Sequence, residues 1–198
     1  MRELVIATNN PHKFEEIAVL LGDLPLKPIP LSAYPNAPVL KEEGTTYAEN
    51  ALSKARTVSR FTRKWALADD TGLEVDALHG APGVYSARYA GEGVTFAENR
   101  RKLLSELAGI PWEKRTALFR CVMALVEPSG KEILVEGTVS GYIAEKEQGP
   151  GGFGYDAVFY LPELGKTFAE LEPDEKNRIS HRARALEKIK EVLKGLKV

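Results

Sequence analysis

The chain has 198 residues, of which 43% are hydrophobic and 28% charged, with a formal net charge of −1 and a single cysteine, Cys121. That length suffices for one sizeable core, or for two lobes sharing a sheet, and the composition is that of a soluble globular protein. The near-neutral charge argues against a large nucleic-acid footprint, one cysteine excludes an intramolecular disulfide or thiolate zinc site, and no apolar run approaches the ~20 residues of a membrane span.

Met1-Arg2-Glu3 and the four apolar residues after it are too short for a secretory signal, so the expectation is a soluble cytoplasmic protein. Residues 4–7 read as an apolar strand that stops in Thr8-Asn9-Asn10-Pro11-His12-Lys13, where an amphipathic helix over residues 14–21 begins. Backbone N–H groups at a helix start are unpaired and carry the positive end of the dipole, so the junction reads as a phosphate site. Lys13 stands against that dipole at a cost of roughly 0.3–1 kcal/mol, which a bound anion would turn into an attraction. The same residues also read as an ordinary asparagine cap beside a solvated lysine. After a proline-rich connection over 25–38, Thr46 and Glu49 make a capping box for a helix over 47–62, with Ala48, Ala51, Leu52, Ala55, Val58 and Ser59 on one face. The acidic pair Glu42-Glu43 precedes it and matters only if the fold carries it to other carboxylates.

A buried strand over 65–68 then ends in Asp69-Asp70-Thr71-Gly72. Adjacent carboxylates at a strand tip repel unless a cation or donors compensate, and magnesium, which takes carboxylate oxygens, waters and phosphates, would compensate. The alternative is one turn-capping aspartate and one exposed. A glycine-rich loop over 79–93 leads to a helix capped by Thr95 and Glu98, running toward Leu107. Strands over 117–126 and 133–143 form an antiparallel hairpin about Pro128-Ser129-Gly130, with Ile133, Val135, Val139 and Ile143 on one face. Cys121 lies among Leu118, Phe119, Val122 and Met123 and reads as a core thiol. In Gly151-Gly152-Phe153-Gly154-Tyr155-Asp156 the glycines allow close approach to a ligand and Phe153 offers a flat face for a base. A tight loop whose aromatics fill the core explains it equally. Ser180-His181-Arg182 opens a last helix over 182–196, with Lys176 upstream, again placing donors where a dipole argument expects acids. Here the alternative is a Ser180 cap followed by exposed His181 and Arg182.

The order of elements implies an α/β protein with a mixed sheet and flanking helices. No GxxxxGK[ST], GxSxG or HExxH element occurs, which removes the P-loop, serine-hydrolase and zinc-protease routes. Two helix-start anion sites, lysines, carboxylates and an aromatic on a glycine loop together describe a nucleoside triphosphate with its magnesium.

These motifs also occur in order in a known family. Thr8 to Lys13 match T-x-N-x-x-K, followed by Ala68-Asp69-Asp70-Thr71-Gly72-Leu73, then Gly80 to Arg88, Gly151 to Asp156 and Ser180-His181-Arg182. On these residues the chain resembles the inosine/xanthosine triphosphate pyrophosphatase family, hydrolases of aberrant purine nucleotides, nearly from end to end. The resemblance implies one catalytic domain over 1–198, an elongated mixed sheet in two lobes with a central active-site cleft, and a homodimer. It implies magnesium-dependent hydrolysis of ITP, dITP and XTP to the monophosphate and pyrophosphate. By position, Thr8, Asn9, Asn10, Pro11, His12 and Lys13 would hold phosphates, with Thr71 alongside. Asp70 would be the proton acceptor, and Glu42 with Asp70 would hold the metal, Glu43 being the alternative. Phe153, Gly154, Tyr155, Asp156, Lys176, His181 and Arg182 would contact the nucleotide. A non-catalytic nucleotide sensor, a pyrimidine nucleotide pyrophosphatase and an RNA-binding protein are the competing readings.

Overall fold

A computed structural model describes residues 2–195; Leu196, the last residue of the expected final helix, lies outside them. In chain order the elements are β1 (Arg2–Ile6), α1 (Pro11–Leu20), β2 (Leu26–Pro30), α2 (Tyr47–Thr62), β3 (Trp65–Val75), β4 (Pro82–Gly83), α3 (Phe96–Glu106), β5 (Thr116–Val126), β6 (Glu132–Ile143), β7 (Phe159–Leu161), β8 (Lys166–Thr167), α4 (Pro173–Ile179) and α5 (His181–Gly195). The strands hydrogen-bond in the order β2-β1-β3-β5-β6-β7-β8, with β4 added to β3. β1 runs parallel to both β2 and β3, whereas β3–β4, β6–β7 and β7–β8 are antiparallel, so this is the mixed α/β sheet expected. β5 and β6 form the expected hairpin: Ile143 N–H donates to Arg115 O at one end and Glu127 N–H to Lys131 O at the other.

Four local expectations change. α1 starts at Pro11, a turn earlier than the apolar pattern, because Asn10 caps it and proline suits the first helical position. β2 lies inside the proline-rich connection; it is an edge strand, where Pro28 and Pro30 need no ladder N–H. β3 does not stop at Ala68 but runs through Asp69, Asp70, Thr71 and Gly72 to Val75. Last, α4 occupies the stretch before Ser180.

The chain divides into two compact units, one of Met1–Asp70, Cys121–Gly137 and His181–Val198, the other of Thr71–Arg120 and Thr138–Ser180. In the first, Leu4, Ile6, Ile17, Leu67, Cys121, Met123, Leu186 and Ile189 form one core, each side chain of this kind contributing about 1.5–3 kcal/mol on burial. α5 lies directly on the backbone of β6: a Cβ at Gly137 would stand 2.2 Å from His181 O and 2.3 Å from Ala185 N. That contact fixes where the start of α5 sits. In the second unit the core gathers Leu73, Val75, Leu103, Phe119, Phe159 and Phe168, with the Phe119 and Phe159 ring centroids 4.5 Å apart.

Candidate active site

Within the first unit the chemistry is arranged by the two-residue period of β3. Leu67 belongs to the core beneath α1 and α5, so Asp69 points to that side and Asp70 to the other. The adjacent carboxylates therefore face opposite sides of the strand, Asp69 pairing with Lys13 and Arg182 and Asp70 lying by Lys54, whose charge acts on both. Asp69 is buried; its Oδ2 lies 2.9 Å from Lys13 Nζ on α1 and accepts from Arg182 Nη2 on α5 at 3.2 Å. Arg182 is itself 1% exposed and donates through Nη1 to Glu16 Oε2 at 2.5 Å. Burial alone would push the Asp69 pKa up, but Lys13, then Arg182 and Lys54, hold it well below the usual carboxylate range. The same pairing, with Glu16, raises Arg182 against the effect of its own burial. Both shifts favour the charged forms of the pair.

On the other side, α2 supplies Asn50 and Lys54, one turn apart and both buried. Asn50 Nδ2 donates to Asp70 Oδ2 at 3.0 Å, while its Oδ1 accepts the Gly44 N–H at 2.8 Å. One amide thus ties the loop that carries Glu42 to the carboxylate on β3. Lys54 Nζ lies 2.5 Å from Glu42 Oε1 and 3.7 Å from Asp70 Oδ1. Glu43 points away, exposed and 3.3 Å from Lys41, so Glu42 is the member of the pair that reaches Asp70. Burial pushes Asp70 up; Lys54 opposes this and Glu42 adds to it, and the net shift is upward. For Glu42, burial is overcome by Lys54 and the shift is downward. The neighbouring aspartates are thus driven in opposite directions.

Repulsion between Asp69 and Asp70 does not by itself call for magnesium, since lysines and an arginine already neutralise them. Among the described residues no group of three or more His, Cys, Asp or Glu forms a metal cluster. Glu42 and Asp70 nevertheless converge on one ammonium, so two hard oxygen donors share a cation, a partial set of the kind magnesium completes with waters and phosphates.

At the start of α1, Asn10 Oδ1 accepts from the N–H of His12 at 3.0 Å and of Lys13 at 3.3 Å, and Thr8 Oγ1 accepts from Asn10 N–H at 3.1 Å. The cap therefore already uses two of the N–H groups assigned to a phosphate, and Lys13 is answered by Asp69. Asn9, Pro11 and His12 are exposed. His181 and Arg182 are buried, which removes the reading of both as surface residues.

The second unit holds Thr71, Phe153, Gly154, Tyr155, Asp156 and Lys176. Asp156 Oδ2 accepts from Phe153 N–H at 2.8 Å and from Lys176 Nζ at 2.6 Å, and that ammonium stands 4.5 Å from the Phe153 ring centroid. Gly152 has φ +68, and a Cβ there would lie 2.4 Å from Asp156 Oδ2, so the turn requires glycine. Tyr155 is core: its ring packs edge-on to Phe96 and its hydroxyl donates to Ser86 O at 2.8 Å. Its side chain anchors the loop. Arg100 on α3 braces the same loop, donating to Gly154 O at 2.7 Å and Glu147 Oε2 at 3.1 Å.

Sequence reasoning missed Asn50, Lys54, Glu16 and Arg100. Asn50 and Lys54 carried a visible sign, being polar residues at helical spacing within the apolar stripe of Ala51, Ala55 and Val58. For Glu16 and Arg100, whose partners are remote in sequence, no local pattern pointed the way.

A profile of the Ham1 family matches residues 4–192. The chain is similar to a dITP/XTP pyrophosphatase of Geobacillus kaustophilus (strain HTA426), 54% identical over 191 residues that cover 96% of this chain and 94% of that protein. It is similar to another of that name from Geobacter sulfurreducens, 49% identical over 98% of this chain and 97% of the relative. Among solved structures, a HAM1 protein from Coxiella burnetii superposes with a TM-score of 0.89 at 44% identity, covering 98% of this chain and all 100% of that one. The Staphylococcus aureus Ham1 protein gives 0.88 at 41%, covering 99% and 100%.

Proposed function

The chain belongs to the Ham1 family, and on that premise we infer that it is a dITP/XTP pyrophosphatase, a hydrolase that cleaves non-standard purine nucleoside triphosphates to the monophosphate and pyrophosphate. The observation that carries the reading of its site is the split between Asp69, locked as an anion by Lys13 and Arg182, and Asp70, raised and held by Asn50 beside Lys54. In this reading Asp70 orients the attacking water and accepts its proton, a role of about 10²–10⁴ in rate. Lys13 and the residues Thr8 to His12 meet the phosphates, and positioning with electrostatic stabilisation supplies most of the acceleration. Glu42 and Asp70 would hold magnesium, which when bound places positive charge on the phosphate oxygens. Arg182 acts through Asp69, which it keeps ionised and aimed; His181 precedes it on the same turn.

The base-side roles fall to the second unit. The ring of Phe153 offers a stacking face, and the Lys176 ammonium with the Gly154 backbone provides donors. Donors facing a six-keto oxygen are left unsatisfied by the amino group of adenine, at about 1–3 kcal/mol for each buried group. The homodimer implied by the resemblance is part of the proposal, with light scattering as its check. Among the described residues no helix is long and apolar enough to cross a membrane; a cytoplasmic location is likewise proposed.

The test is pyrophosphate release with magnesium from dITP, ITP and XTP against ATP, GTP, CTP and UTP, with Asp70→Asn alongside. Selective turnover of the keto purines, lost in the variant while binding persists, is expected. Near-normal kcat in Asp70→Asn would remove that residue from the mechanism. Turnover confined to pyrimidines, or binding without pyrophosphate release, would overturn the substrate class or the activity.

A further inference from the structure

We propose that the starts of β1 and β3, together with the end of α2, form a second anion site that binds a small phosphate-bearing molecule with two or more negative charges. A cavity of about 500 Å3 opens there, lined by Arg2, Glu3, Lys27, Arg63, Lys64 and Trp65 among others, all in the first unit. It lies at the opposite end of these strands from Thr8 and Asp70, five or six residues away at about 3.3 Å each, or about 15–20 Å. It is therefore not the place where the substrate phosphates react.

The charge is lopsided. Four cations line the cavity against one carboxylate, an excess of three on a chain whose overall charge is −1. Glu3 is engaged by Lys64 at 2.6 Å and by Lys27 at 3.8 Å. The Arg2 guanidinium lies 4.7 Å from the Trp65 ring centroid and has no carboxylate partner among the described residues. Nor does the Arg63 side chain make an ion pair or hydrogen bond among them. Two arginines that line one cavity without a carboxylate partner among the described residues are available to an anion from solution. Guanidinium and ammonium groups suit phosphate oxygens in sign and as hydrogen-bond donors. Inorganic pyrophosphate and a nucleoside monophosphate both supply this chemistry.

The chain has two tryptophans, so Trp112→Phe leaves Trp65 as the only indole and makes its emission a local reporter. Titration without magnesium should give a saturable change with pyrophosphate or with guanosine monophosphate. A response to pyrophosphate supports recognition of charge alone; a response to the monophosphate only supports recognition of the base as well. Lys27→Gln with Arg63→Gln should raise the half-saturating concentration by about tenfold or more, as loss of charge-assisted contacts requires. A non-saturating response at millimolar ligand, or one unmoved by the double substitution, overturns the proposal. Isothermal titration of the chain with both tryptophans is the second readout. Pyrophosphate should bind Lys27→Gln/Arg63→Gln about tenfold more weakly than the parent there too, and an unchanged isotherm overturns it.

Discussion

Lys54→Met removes the cation that Glu42 and Asp70 share while keeping most of the volume of the side chain. Lys54 and Asp70 have side chains 6% exposed, so neither charge is solvated, whereas Glu42 retains 33% of its surface. Removing one partner of a buried ion pair costs about 3–5 kcal/mol, because the other is left uncompensated. The partial exposure of Glu42 lets water take up some of its charge, which favours the lower end, about 3 kcal/mol. Against a total stability of about 5–15 kcal/mol that is a large fraction. At about 2–4 °C per kcal/mol for a chain of this size, melting should fall by about 6–12 °C in metal-free buffer. Thermal melts followed by circular dichroism measure it. Magnesium should then stabilise the variant more than the parent, by up to about 2.7 kcal/mol at a hundredfold excess over its Kd, because Glu42 and Asp70 remain facing with no ammonium between them. A metal-free variant within about 1 kcal/mol of the parent, or an identical response to magnesium in both, would refute the view that these carboxylates form one cation-binding pair.

Asn50→Ala leaves Asp70 Oδ2 and Gly44 N–H without their shared partner and should cost about 1–3 kcal/mol in urea unfolding, with kcat reduced as Asp70 loses its brace. Unchanged kcat would show that Asp70 does not need this amide. Acid stability tests the other aspartate. The folded pKa of Asp69 lies well below its ordinary 3.8, so its contribution is complete above that value and is lost as pH falls below it. Lys13→Met removes the leading cause of that depression, and the acid limb of the melting curve should move to higher pH; coincident limbs would count against the pairing. Gly137→Ala should destabilise by about 3 kcal/mol or more, since the added Cβ meets backbone of α5 that no rotamer change can move, and a melt near that of the parent would contradict the packing.

Elements whose determinants are local were legible in the sequence. The α2 helix was expected over its observed residues because the Thr46–Glu49 box and the helical spacing lie within one segment, and the same holds for the Thr95–Glu98 start of α3. The hairpin of β5 and β6 followed from one turn. β2 was hidden because prolines read as breakers until the strand is known to be an edge. Asp69-Asp70-Thr71-Gly72 carries turn residues, yet β3 runs on, since Lys13, Arg182, Asn50 and Lys54 satisfy those carboxylates within the strand. Those four partners come from three helices, which no local pattern could assemble. The residue types of the candidate site were therefore readable, but the pairings that separate Asp69 from Asp70 were not.

Those pairings also set the charge that a triphosphate would meet in the first unit under the proposed function. Lys13, Lys54 and Arg182 stand against Glu16, Glu42, Asp69 and Asp70, three cations to four carboxylates, so the cluster is negative by one charge. Two of the cations are each shared by two carboxylates: Arg182 lies between Glu16 and Asp69, and Lys54 between Glu42 and Asp70. Lys13, with a side chain 16% exposed, is the one able to turn toward a phosphate, and doing so leaves Asp69 to Arg182. A bare triphosphate would thus meet a site of its own sign with one cation to spare, whereas a nucleotide arriving with a divalent cation presents Glu42 and Asp70 with the charge they lack. Under the proposed function these carboxylates therefore favour the metal–nucleotide complex over the free nucleotide.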